Sequence, residues 1–245
     1  MSYLIHKPKD GYSIQMGDAN LLSQELKEKV IYNFRANDIK NNGEGAPLTP
    51  IYHKLLINKF KINNPTLILN IGGISNYTYY FNDTLSAKDI GPGNCLIDNW
   101  IRKNSDKKFD TDGQIALSGK KNDVIFEQAQ ELYANRINKN KKSFDTNDFD
   151  ISFSRGLSLE DGAATLTKFT ADIIIEAISL ILKKEILVKN ILICGGGRKN
   201  KVLLKTISKF FLFSLMISIK HLPTDPVDPR IAIFFSYIII LLLLK

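Results

Sequence analysis

Cysteine, tryptophan and histidine are scarce, with two, one and three residues in a chain of 245. Cys95 and Cys194 stand far apart, share no metal-type spacing and have no histidine beside them. That argues against a disulfide framework and against a zinc site, and two isolated thiols fit a reducing compartment, the cytoplasm. The first ten residues mix His6, Lys7 and Lys9 with apolar positions, so they do not read as a signal peptide. A long apolar run is missing too. The apolar run Ile231 to Leu244 has fourteen residues without a charge, whereas a membrane span needs about twenty. No solenoid-type repeat is visible.

What is present is the composition of an ordinary globular protein, 44% apolar and 24% charged. The net charge of +8 raises the question of a polyanionic partner. The lysines, however, are scattered among asparagines, and the longest basic stretch, Asn138-Lys-Asn-Lys-Lys142, reads as a loop. No basic–aromatic alternation builds a nucleic-acid platform. A solvated lysine-rich surface is expected, with no nucleic acid as partner.

Local patterns predict the elements. Tyr12 to Met16 reads as a strand, and Asp18 caps a helix to about Lys27. Val30 to Phe34 reads as a second strand, residues 41–50 as a turn-rich loop, and Ile51 to Asn58 as a helix. Thr66–Ile71, Tyr77–Phe81 and Ser86–Ile90 are strands close enough for an antiparallel meander. Helices are expected from Asn94 to Lys103, Asp123 to Arg136 and Ser158 to Lys184, the last opened by the capping-box-like Ser158-Leu-Glu-Asp161. Asn190–Cys194 is a buried-type strand that runs into Gly195-Gly-Gly197 and a helix from Lys199 to Phe211. This order is α/β with a mixed sheet, the construction of one half of an actin-like or ribonuclease H-like ATPase.

Three motifs carry candidate chemistry. In Asn70-Ile-Gly-Gly-Ile-Ser-Asn76, Gly72 and Gly73 let backbone amides approach an anion, with Ser75 and Asn76 adding polar groups; a tight hairpin with no ligand reads equally from the glycines. In Lys88-Asp-Ile-Gly-Pro-Gly-Asn94, Asp89 stands near a strand end and a helix start, where a carboxylate reaches the crevice above a sheet and can take a proton from water or a sugar hydroxyl. Alternatively, Asp89 caps the following turn. Asn94 and Asp98 lie one helical turn apart and can face the same cleft. In Cys194-Gly-Gly-Gly-Arg-Lys-Asn200, Gly195, Gly196 and Gly197 suggest a nucleotide contact, although the segment is neither a Walker loop nor GxGxxG. His53 reads as a structural histidine. Arg35 either pairs with Asp38 or holds an acidic ligand with its fork.

Taken together, these motifs resemble the anhydro-N-acetylmuramic acid kinase family. The resemblance runs from about His6 to about Leu204. Its elements are Ile14-Gln-Met-Gly-Asp18, Phe34-Arg-Ala-Asn-Asp-Ile39, Gly45-Ala-Pro-Leu-Thr-Pro50 with His53, the two motifs around Gly72 and Asp89 with Asp98 and Trp100, and Cys194-Gly-Gly-Gly. It implies an actin-like, hexokinase-type fold of two lobes. It also implies an ATP- and magnesium-dependent reaction that opens 1,6-anhydro-N-acetylmuramic acid with water and phosphorylates O6, in cell-wall sugar recycling. By resemblance Asp89 is the base that activates the water, and Gly72, Gly73 and Asn76 form the second phosphate turn. Gly195 to Gly197 would lie on the nucleoside side, with Arg35, Asn94 and Asp98 as substrate-binding candidates and no metal ligand among the side chains. A homodimer is the family tendency.

The departures set the alternative. The family's opening Gly-Thr-Ser-x-Asp-Gly phosphate loop does not occur in these residues, and Asn42 and Glu44 stand where glycine and a neutral amide are usual. The expected division is therefore 1–62 as the remainder of an incomplete first lobe, 63–213 as the second lobe and 214–245 as a divergent apolar tail. The alternative to an active kinase is an inactive remnant of it.

Overall fold

Thr66-Leu-Ile-Leu-Asn-Ile71 is apolar at nearly every position because both faces of the strand it forms are covered. The structure is a computed structural model that describes residues 4–62, 65–136, 144–184, 188, 190–215 and 218–221. Two compact units divide them, one reaching Leu48 and the other spanning Thr49–Leu222. The basic stretch 138–142 and the apolar run 231–244 lie outside the described residues.

In the first unit β1 (Leu4–Lys7) and β2 (Tyr12–Gln15) form a hairpin, Leu4 opposite Gln15 and Lys7 opposite Tyr12. Helix α1 (Ala19–Leu26) begins where expected. The Asp18 carboxylate accepts from the amides of Asn20 and Leu21 at 2.9 and 3.1 Å, a cap worth about 1 kcal/mol. The expected strand over residues 30–34 does not form. Asn33 takes φ 62°, which breaks an extended run, and its carbonyl accepts from the Ala36 amide to lead into α2 (Ala36–Lys40).

The second unit opens with α3 (Thr49–Lys59). A meander follows, β3 (Thr66–Ile71), β4 (Ile74–Phe81) and β5 (Thr84–Pro92), antiparallel as expected. Asn82 and Asp83 take φ 45° and 60°, the paired left-handed positions of a type I′ hairpin. After α4 (Cys95–Asn104), α5 (Gln114–Ser118), α6 (Asp123–Arg136) and α7 (Leu159–Lys184), β6 (Asn190–Cys194) returns parallel to β3. Helix α8 (Lys201–Leu215) then leads to β7 (Ser218–His221), parallel to β6.

The sheet order is β5-β4-β3-β6-β7: third, second, first, fourth and fifth strand, with only β4 reversed. That is the ribonuclease H-like order, and the chain is α/β as the sequence indicates. Strand alternation sorts the faces. Leu67, Leu69, Ile71, Tyr79, Ile191 and Ile193 pack on one side against α4, α7 and α8, around Ile97, Trp100, Leu166, Ile174 and Leu203. Ile68, Tyr80 and Leu192 pack on the other side against Ile57 of α3. Each such side chain contributes about 1.5–3 kcal/mol by leaving water.

Candidate active site

On the α3 face the apolar pattern stops at one row. Strand register sets Cys194 of β6 beside Asn70 of β3, Asn70 beside Asn76 of β4, and Asn76 beside Asp89 of β5. Directly paired residues share a face, so four polar side chains cross four strands in line. The last pairing ends the unbroken hairpin register that starts at Phe81 and Thr84, and a bulge follows it. Ser75 pairs with Gly91 but Asn76 with Asp89, which leaves Ile90 unpaired and turns it into the opposite core. Bulges of this kind re-aim side chains, here those that follow Asp89 on the way to the Gly93 turn. Asp89 is only 7% exposed, and its Oδ2 accepts from the Phe144 amide at 2.8 Å. Asn76 is 8% exposed, and its Oδ1 has no hydrogen-bond partner among the described residues.

The other end of the row is held from α3. The Cys194 thiol donates to Asn70 Oδ1 at 3.6 Å, His53 Nε2 stands 3.9 Å from that sulfur, and His53 Nδ1 lies 2.8 Å from Thr78 Oγ1. Because the thiol proton goes to Asn70, the sulfur accepts from Nε2–H, and Nδ1 accepts from the Thr78 hydroxyl. Burial lowers the His53 pKa to about 4, keeping the ring neutral as this chain requires. Burial also pushes the Cys194 thiol up to about 12, with Arg198 opposing. His53 is structural, as read from the sequence.

The glycine turns sit at the end of β3. The Gly72 carbonyl accepts from the Asn94 amide at 2.7 Å, and the Gly73 carbonyl from the Gly93 and Cys95 amides at 2.8 and 3.2 Å. The first two motifs are thus tied together, and the start of α4 is capped by carbonyls of the Gly72–Gly73 turn. A Cβ on Gly93 would fall 2.3 Å from the Gly72 oxygen, so that junction needs glycine. Gly195, at φ 83°, would place a Cβ 2.5 Å from the Ile71 oxygen, and Gly197 would meet the Ile71 side chain at 2.3 Å. Packing on β3 accounts for those two. At Gly196 the nearest atom is Asn94 Nδ2 at 3.6 Å, ordinary spacing, so this glycine is not required by contact.

The candidates therefore separate. Asp89 and Asn76 meet on the α3 face. Asn94 joins the glycine turns, reaching the Ile71 carbonyl at 3.5 Å and bordering Gly196 and Gly197. Asp98 follows on α4, where burial, opposed by Arg102 and reinforced by Asp110, raises its pKa to about 6. Asp110 in turn accepts from the amides of Ile115 and Ala116. Arg35 belongs to the other unit, where it donates to the Gly45 carbonyl while the Asp38 carboxylate accepts from the Gly45 amide at 2.6 Å.

Sequence reasoning passed over Asn70, the side chain of Cys194 and the Phe144 amide. Asn70 was findable as the one polar interruption of an otherwise apolar strand ending. The Phe144 contact spans 55 residues and left no local signal.

A ribonuclease H-like α/β domain, with glycine turns tied at one sheet end and a buried carboxylate on the neighbouring row, belongs to the actin-like ATPase class of folds. The model of the anhydro-N-acetylmuramic acid kinase family matches residues 2–239, and the chain belongs to that family. Relatives named anhydro-N-acetylmuramic acid kinase include the protein of Pelagibacter ubique, 48% identical over 210 residues, covering 84% of this chain and 56% of the relative. That of Bradyrhizobium diazoefficiens is 36% identical over 203 residues, covering 82% and 54%. The Zymomonas mobilis protein is 37% identical over 205 residues, with the same coverage. The chain spans about half the length of the curated relatives it matches. Among solved structures, the activator of the 2-hydroxyisocaproyl-CoA dehydratase from Clostridium difficile with bound ADPNP is similar at TM-score 0.42 and 15% identity, over 71% of this chain and 59% of that one.

Proposed function

We propose that this chain carries the reacting half of a kinase that opens 1,6-anhydro-N-acetylmuramic acid with water and transfers the γ-phosphoryl group of ATP to O6. The observation that supports it most is the buried Asp89 carboxylate, set opposite Asn76 by the hairpin register and followed on the same strand by the turn tied to Gly72 and Gly73, in a chain of this family. Asp89 takes a proton from water as its oxygen attacks the anomeric carbon. The C1–O6 bond breaks, and O6 displaces ADP from the γ-phosphorus.

The phosphates fall to the turns at Gly72 and Gly73 and at Gly195, Gly196 and Gly197. Asn94 and Asp98 serve the sugar. Among the described residues no three His, Cys, Asp or Glu side chains gather as a metal cage. Magnesium carried on the phosphates needs few protein ligands, and when bound there it would neutralise phosphate charge. In this reading residues 63–213 are the second lobe, with α3 of the first-lobe stretch 1–62 laid on its sheet and 214–245 as its tail. The protein works in the cytoplasm as a homodimer. Both cysteines are free thiols, and among the described residues no helix is long and apolar enough to cross a membrane.

The test is mass spectrometry of products from folded chain, ATP, magnesium and the anhydro sugar, beside Asp89→Asn. A product heavier by one phosphate and one water is expected, reduced about a thousandfold or more in Asp89→Asn. No product from a folded chain would make it a binding domain without turnover.

A further inference from the structure

Asn76 is the unexplained member of the polar row. A buried acceptor without a partner is costly, and native structures keep one only where something else compensates. Asn76 Oδ1 is such an atom among the described residues, in a side chain more than nine-tenths buried. Its Cα is paired with that of Asp89 across β4 and β5. Opposed side chains on one face begin about 4.5–5.5 Å apart at Cβ, a span that one water can bridge between an amide and a carboxylate. The unbroken register of the β4–β5 hairpin sets this juxtaposition.

We infer that Asn76 is the second polar group of the Asp89 centre, its side-chain oxygen accepting from the O–H of the attacking water that Asp89 does not deprotonate. The inference rests on the kinase reading above and deepens it. Water has two hydrogens, and a carboxylate that takes one leaves the molecule free to turn about that axis. An acceptor on the adjacent strand holds the second O–H and aims a lone pair at the anomeric carbon, an orientation effect. The atoms balance: the water oxygen bonds to C1 as C1–O6 breaks, one proton goes to Asp89, and the other stays on the new anomeric hydroxyl, directed at Asn76. The O6 electron pair attacks the γ-phosphorus and ADP leaves.

Asn76→Leu, of similar volume, is compared with the wild-type chain for turnover and for urea unfolding. The expected result is a kcat lower by about a hundredfold with KM within about threefold, as for loss of one oriented hydrogen bond in a transition state. The unfolding midpoint should be unchanged or higher, because an unsatisfied acceptor has gone. Asn76→Ser, which keeps an oxygen, should recover about tenfold of the loss. Turnover within threefold of wild type, or a clearly lower midpoint with kcat restored in proportion to folded protein, overturns the inference. If Asn76→Leu does not fold, Asn76→Ala carries the same comparison.

Failure of the kinase reading looks different: the wild-type chain itself yields no product. The inference is then decided by 1,6-anhydro-N-acetylmuramic acid alone. A midpoint raised by the sugar in wild type and not in Asn76→Leu supports it; an equal response in both, including none in either, overturns it.

Discussion

Cys194 and His53 show how burial sets the chemistry of single side chains. Both lie on the sheet face that carries Asp89, and both are held in their uncharged forms, the thiol pushed up to about 12 and the imidazole down to about 4. Thiolate, the reactive species, is therefore rare at Cys194, and burial raises Cys95 to about 11 as well. Iodoacetamide at pH 8 should modify neither cysteine in the folded chain over a time in which the urea-unfolded chain reacts fully; mass spectrometry of quenched samples reads this. Rapid labelling of Cys194 in native conditions would show that the His53–Cys194–Asn70 chain does not hold.

Among elements, the join between α4 and α7 depends on one missing methyl group. Gly162 stands inside α7, where alanine ordinarily favours a helix by about 1 kcal/mol. Here a Cβ would fall 2.2 Å from the Trp100 ring, and Trp100 is also anchored by its indole N–H, which donates to the Leu159 carbonyl at 2.9 Å. The ring is boxed between a hydrogen bond and a helix backbone, so it cannot give way. Gly162→Ala should destabilise the sheet unit by about 1–3 kcal/mol, the cost of overpacking, seen as a lower urea midpoint followed by tryptophan fluorescence. An unchanged or higher midpoint would mean that propensity outweighs the clash.

For the molecule as a whole, two groups on opposite faces of the sheet pull its acid stability in opposite directions. His53 has a folded pKa of about 4, below the ordinary 6.5, so the native state binds fewer protons and stability falls as pH drops from 6.5 towards 4. Asp98 has a folded pKa of about 6, above the ordinary 3.8. The native state binds more protons there, so its contribution is fully present below 3.8 and is lost as pH rises through 6. Each unit of mismatch amounts to about 1.4 kcal/mol, discounted for Asp98 because solvent still reaches it. Between pH 4 and 6 the two slopes oppose. His53→Gln should therefore show a stability that falls less on acidification than wild type, and Asp98→Asn one that falls more, by urea titration at pH 4.5 and 6.5. Parallel profiles for both variants would contradict the assignment.

Much of this was legible along the chain. The meander, the helices, the Asp18 cap and the motifs that signal the family are local or nearly so, because alternation, capping and glycine placement act within a few residues. The strand expected over residues 30–34 failed for a local reason as well, an asparagine in the left-handed region. Residue order could not show that Cys194, Asn70, Asn76 and Asp89 form one line. That alignment needs the parallel pairing of β6 with β3, made across more than a hundred residues. Nor could it part Asn94, drawn to the glycine turns, from Asp98, which burial and Asp110 govern. Register and burial are properties of long-range packing, and a one-residue change in either moves a side chain from site to core.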